Sequence, residues 1–194
     1  MTAQQKHPET AAEDARIVSQ VLTGDREIYG RLVEKYQDRL YSILFSILRN
    51  HDLALEICQD TFLRAFNALH LYDSTYKFSS WLFRIGVNLS FNKVKRLKLE
   101  RKTTDRSVEV ARLGGGESGI PPALQTEETK KVIWEAMEQL PENYRTALTM
   151  RYFEGLSCKD IAEVLGVTPN VVSINIHRGK KLMQRYLKDY AIKG

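Results

Sequence analysis

The sequence predicts an all-α protein of two small helical domains joined by a flexible linker, the C-terminal domain being a helix-turn-helix. Three observations predict this. Apolar residues recur at helical spacing along most of the chain, and no strand-like alternation is sustained. Glycine, proline and small polar residues stand where helices would start and stop. One segment, 103–128, has no aromatic residue and carries Gly114-Gly115-Gly116 and Pro121-Pro122. Such a composition cannot bury a core and reads as a linker. It divides the chain into an N-terminal domain over 14–102 and a C-terminal domain over 129–190.

The N-terminal domain reads as four or five helices. The first spans about 14–23, with Gly24 as its stop. The second begins near Asp25 and runs toward Leu48. The third follows Asn50-His51-Asp52, whose Asn and Asp are good caps, and continues to about Leu69. A loop covers 70–77, and a last helix runs from Ser79-Ser80 to about Lys102. In the C-terminal domain, 127–140 is amphipathic through Val132, Ile133, Ala136, Met137 and Leu140. Pro141 opens the next helix at a position where its missing N–H costs nothing, and Gly155 ends it. Ser157 and Asp160 form a capping-box pattern with Asp in place of Glu. That box opens a short helix ending at Gly166. Thr168-Pro169 then starts the final helix, which reaches about Tyr190.

The formal net charge is +5, which favours a polyanionic partner. Its distribution says more. Residues 178–194 hold Arg178, Lys180, Lys181, Arg185, Lys188 and Lys193 against Asp189 alone. The two cysteines, Cys58 and Cys158, stand a hundred positions apart, and the four histidines are scattered. Neither a zinc site nor a disulfide framework is expected. No phosphate loop, nucleophile elbow or metal cluster is present, so no catalytic residue and no cofactor is expected. The start of the chain is polar and acidic. Its most apolar stretch, LYSILFSIL at 40–48, is too short to span a bilayer. A cytoplasmic protein with no membrane contact of its own is expected.

The sharpest signal lies in the last two helices. A helix-turn-helix needs a small residue at the helix crossing, a glycine in the turn and a branched residue packing the second helix. Ala162, Gly166 and Val172 fill these places at the required spacing. Two antiparallel helices with a glycine turn occur in many helical proteins, but the full spacing with caps on both helices favours DNA binding. The residues expected to face the major groove are Asn170, Val171, Ser173, Ile174, His177 and Arg178. Lys181 and the basic tail behind it would neutralise phosphates.

A second nucleic-acid signal lies at 72–106. Tyr72, Tyr76, Phe78, Trp81, Phe83 and Phe91 precede a run of seven cations opposed by Glu100 and Asp105. Aromatic rings beside a basic helix suit unpaired DNA, each stacked base contributing roughly 1–3 kcal/mol. About half of these rings should be structural, because Trp81 and Phe83 cannot both face outward.

These motifs carry a resemblance. Residues 52–66 (DLALEICQDTFLRAF), 78–94 (FSSWLFRIGVNLSFNKV) and 140–187 resemble three blocks of the extracytoplasmic-function (ECF) sigma factors, group 4 of the sigma-70 family. The resemblance covers roughly 25–102 and 130–187. It implies an initiation factor that binds core RNA polymerase, through the largest-subunit coiled coil and the flap, and promoter DNA. An anti-sigma factor is the regulator it implies. Ile57, Gln59, Asp60 and Arg64 would clasp the polymerase. Tyr72, Tyr76, Lys77, Asn88, Asn92, Lys95 and Arg96 would take the −10 element. The helix beginning at Asn170 would read the −35 element. Many members carry Gly-Thr-Val-Lys-Ser-Arg where this chain has Asn170-Val171-Val172-Ser173-Ile174-Asn175, so two usual cations are missing. The alternative is a stand-alone helix-turn-helix transcriptional regulator, which would bind duplex sites tightly without polymerase.

Overall fold

The computed structural model describes residues 8–103 and 127–193, with side chains placed at 11–100 and 132–188. Among these residues there are eight α-helices and no strand. They are α1 Pro8–Leu22, α2 Tyr29–Leu48, α3 His51–Asn67, α4 Phe78–Thr103, α5 Glu127–Glu138, α6 Glu142–Leu148, α7 Cys158–Leu165 and α8 Pro169–Lys193. The expected linker narrows at both ends, because α4 reaches Thr103 and α5 starts at Glu127. The expectation of a structureless link across 104–126 lies outside the described residues.

In the N-terminal lobe α2, α3 and α4 pack on one another and α1 lies across α2. Leu32, Leu40, Ile43 and Leu44 of α2 meet Ala54 and Ala65 of α3 and Leu82, Phe83 and Val87 of α4, all buried. Each large apolar side chain removed from water contributes roughly 1.5–3 kcal/mol. Buried polar groups find partners. The Tyr29 hydroxyl donates to the Phe62 carbonyl at 2.9 Å, and its ring meets Phe66 edge-on at 5.0 Å. The Tyr36 hydroxyl donates to Asp14 of α1, whose other carboxylate oxygen takes Lys35. Burial, then Asp14, pushes the Tyr36 hydroxyl pKa well above its ordinary value. Asn50 caps α3 by accepting from the Leu53 amide at 2.9 Å. The second helix begins at Tyr29 rather than Asp25. Residues 25–26 are irregular and 27–28 form a turn, and the helix starts without a side-chain cap.

The C-terminal lobe departs from the expected single helix over 141–155. The helix stops at Leu148 and widens into a π-turn, Thr149–Phe153, closed by the Glu154 amide on the Thr149 carbonyl at 3.1 Å. The chain leaves it through Gly155 in the left-handed conformation (φ +63°), which glycine adopts without a Cβ clash. Ser157 and Asp160 form the complete reciprocal capping box of α7.

The two lobes pack together. Phe45 of α2 stacks on Trp134 of α5 at 5.6 Å. Arg145 of α6 enters the N-terminal lobe and donates to the Ser46 carbonyl at 2.7 Å and to the Leu140 carbonyl at 2.9 Å. Burial, then the charge of Arg49, draws the Arg145 guanidinium down to about 10, so it stays cationic at neutral pH. Arg39 donates to the Glu154 carboxylate and to its backbone carbonyl, both at 2.8 Å. The π-turn ends at Glu154 and leaves its side chain buried there, 5% exposed. Met150, Leu156, Ile161 and Val164 join the N-terminal apolar cluster.

Candidate nucleic-acid and polymerase interfaces

The helix-turn-helix is built as its spacing requires. Ala162 is buried where α7 and α8 cross, Gly166 takes φ +66°, and Val172 is fully buried. The Val167 amide closes the turn on the Ala162 carbonyl at 3.1 Å. This seam leaves a defined face outward. Asn170, Val171, Ser173, Ile174, His177, Arg178 and Lys181 are all exposed. Lys180 lies over the Tyr152 ring, 5.6 Å from its centroid. Gly179 is buried, and a Cβ there would stand 3.0 Å from Leu148 Cδ1 and 3.1 Å from Tyr144 Cβ. The glycine lets α8 lie close on α6.

The N-terminal lobe presents two surfaces. On α4, Asn88, Asn92, Lys95 and Arg96 are exposed and follow helical spacing, so they share one stripe. Arg96 pairs with Glu100 at 3.5 Å. Beyond them Phe91, Val94, Lys95, Lys98 and Leu99 line a shallow groove closed by Glu142 of the other lobe. The loop before α4 is shaped from within. The Tyr72 hydroxyl donates to the Tyr76 carbonyl at 2.6 Å, and the Thr75 amide to Asp73 Oδ1 at 2.9 Å. The Tyr72 ring packs on Phe78 and Trp81 at 5.5 and 5.3 Å. Burial, then the Asp14 and Asp73 charges, raises its pKa to about 12. Tyr72 is therefore half committed to the fold, whereas Tyr76 is 58% exposed. Lys77 pairs with Asp160 of α7 at 2.8 Å, across the boundary between lobes.

On α3 the expected polymerase-facing set divides. Gln59 and Arg64 are exposed, and Asp60 is half-buried and pairs with Arg64 at 3.0 Å. Ile57 is corrected: it is 5% exposed and belongs to the core. It shares a buried stripe with Ala54, Cys58, Thr61, Phe62 and Ala65, so it supports the helix from beneath. Sequence reasoning missed two leucines on the opposite face, Leu55 and Leu63, at 41% and 62% exposure. Their signal was available: 55, 59 and 63 form a four-residue series out of phase with the buried stripe. The thiols of Cys58 and Cys158 are free, and burial pushes Cys58 up to about 11. Among the described residues no helix is long and apolar enough to cross a membrane.

An exposed recognition helix on one lobe and a basic, Asn-bearing helix on the other define a two-lobed helical DNA-binding protein. Comparisons with known proteins give the class. Residues 32–100 match the family profile described as Sigma-70 region 2, and residues 130–183 that of Sigma-70, region 4. The chain is 30% identical over 181 residues to the ECF RNA polymerase sigma factor SigW of Bacillus subtilis, covering 89% of this chain and 95% of that protein. It is 29% identical over 185 residues to the RNA polymerase sigma-H factor of Pseudomonas aeruginosa, covering 92% and 96%. Among solved structures, the sigma factor RpoE of Bartonella quintana, in complex with the anti-sigma factor NepR, matches with a TM-score of 0.68 at 19% identity. That match covers 82% of this chain and 96% of the other. CnrH, solved with the cytosolic domain of CnrY, matches with a TM-score of 0.62 at 22% identity, covering 89% and 96%. The chain belongs to the ECF sigma factors of the sigma-70 family. It is an RNA polymerase sigma factor that directs promoter-specific transcription, and it is not an enzyme.

Proposed function

We propose a division of labour along this chain. The lobe over 14–102 docks on core polymerase through the outer face of α3, using Gln59, Asp60 and Arg64 with Leu55 and Leu63. It takes the −10 element on the loop at Tyr76 and on the α4 stripe of Asn88, Asn92, Lys95 and Arg96. Unpairing a base costs a few kcal/mol, which ring stacking and backbone cations offset. The lobe over 129–190 reads the −35 element with α8, and residues 103–128 link the two. The observation that carries this reading is the outward face of α8, where all seven residues singled out from the sequence emerge together.

Each lobe alone binds DNA weakly, and polymerase raises the effective concentration of one site when the other is held. A stand-alone regulator would not need that scaffold. By analogy with the complex of RpoE with the anti-sigma factor NepR, an anti-sigma protein covers these surfaces and blocks docking. The site of action is the cytoplasm, where polymerase meets DNA.

The test is initiation in vitro from a promoter library with purified core polymerase. The chain with core should start transcripts at selected promoters, and the chain alone should bind the same duplexes weakly. Asp60→Arg places a cation in the centre of the α3 face and repels its partner Arg64. Initiation should fall at least tenfold while helical content stays unchanged. Undiminished initiation by that variant would remove α3 from the docking surface.

A further inference from the structure

The first two turns of the recognition helix have an unusual chemistry. Val167, Val171 and Ile174 are 39%, 41% and 40% exposed, and their spacing sets them in one strip along the turn and the start of α8. Val172 and Ile176 take the inward positions. Asn175 is half-buried and in contact with Asn143 of α6 at 3.4 Å, so it braces the lobe. No lysine or arginine occurs from Gly166 to His177, and the cations begin at Arg178. The apolar strip therefore stands directly ahead of a cationic one on the same helix, with Asn170 exposed beside it. A protein partner would be served by the apolar strip alone. Duplex DNA fits both parts, its base edges in front and its phosphates under Lys181 and Arg185.

Guanine is most often read in the major groove by a bidentate arginine or lysine, adenine by asparagine or glutamine, and thymine through apolar contact with its methyl group. The first class is missing from these turns and the other two are present. We propose that Asn170, Val171 and Ile174 make A·T pairs the preferred ones beneath the first two turns of α8. Asn170 pairs with an adenine edge, and Val171 and Ile174 close on thymine methyls. This rests on the proposed reading of α8 as the −35 helix.

The experiment uses the full chain with core polymerase and a promoter library randomised at the −35 element, its downstream element fixed. Selection should return A·T pairs beneath Asn170, Val171 and Ile174. Replacing thymine by deoxyuridine then removes only the methyl group. Initiation should fall about fourfold for each contacted methyl, the worth of one buried methyl group. The Val171→Ser, Ile174→Ser double variant should be indifferent to that replacement, and Ser173→Lys should draw guanine into the selected element. Both serine substitutions fall at exposed positions, and an unchanged melting temperature certifies the fold. Selection of G·C pairs beneath Asn170, Val171 and Ile174, with no response to deoxyuridine, would overturn the A·T inference and leave the sigma function standing. Absence of initiation from every promoter would overturn the function on which it rests.

Discussion

Gly86 stands on α4 where that helix crosses α2 and α3. An added Cβ would lie 2.9 Å from Leu40 Cδ1, 3.1 Å from Thr61 Oγ1 and 3.2 Å from Leu44 Cδ2. Leu40, Leu44 and Thr61 are themselves fully buried and cannot step aside. Alanine in a helix gains about 1 kcal/mol over glycine, while overpacking a core costs about 1–3 kcal/mol. Gly86→Ala should therefore lose about 1 kcal/mol net, lowering the melting temperature by about 2–4 °C in a calorimetric scan. Gly179 follows the same logic. In the sequence it reads only as a weak point in a helix, because the approach of Tyr144 and Leu148 involves residues more than thirty positions away. Ile57 shows the converse. Its place in a family motif points to contact with a partner, whereas its three- and four-residue spacing from Ala54 and Thr61 sets it on the buried face.

Among the elements, those with local chemistry were legible. The Asn50 cap, the Ser157–Asp160 box and the glycine stops at Gly155 and Gly166 depend on neighbours in sequence and stand where they were read. The π-turn at Thr149–Phe153 left no such mark. Its extra residue places Glu154 against Arg39, and no short-range rule encodes a contact 115 positions away. The capping box has a second partner of the same kind. Asp160 accepts from Ser157 and also from Lys77. Burial pushes its carboxyl pKa up, but the bonds from Lys77 and Ser157 outweigh this and hold it below the ordinary 3.8. A depressed carboxyl stabilises the fold above its unfolded pKa and loses that contribution as pH falls through the folded value. Urea midpoints should thus drop between pH 5 and more acidic solution. Asp160→Asn should start lower and show a shallower acid dependence. An identical slope in both proteins would remove Asp160 from the account.

At the scale of the molecule, the sequence announced two lobes but not their contact. The linker composition separates them, whereas Phe45, Arg39, Ser46 and Lys77 meet their partners only in three dimensions. A globule of this length has a radius of gyration of about 16 Å, hence a diameter of about 42 Å. Promoter elements centred 25 base pairs apart are separated by about 85 Å of duplex. If each lobe takes its own element as proposed, the closed molecule does not reach both, and the lobes should part when polymerase binds. The 23 residues of 104–126 suffice for this, since an extended chain spans about 80 Å. Dyes attached at Thr23 and Gln184, both exposed, in a Cys58→Ser, Cys158→Ser background should separate by about 20 Å or more on adding core polymerase. An unchanged distance with transcription intact would mean that the packed arrangement is the working one.

The charged contacts that shut the lobes have a further consequence for a factor living among chromosomal DNA. Arg39 and Lys77 are occupied by Glu154 and Asp160 until opening, so the wandering molecule shows fewer free cations than its composition suggests. Random sequence outnumbers genuine start sites by about a millionfold or more, and it captures proteins through phosphate attraction alone. On this view Glu154 and Asp160 stand where phosphates would, and Glu154→Gln with Asp160→Asn should bind random duplex more tightly in a salt titration.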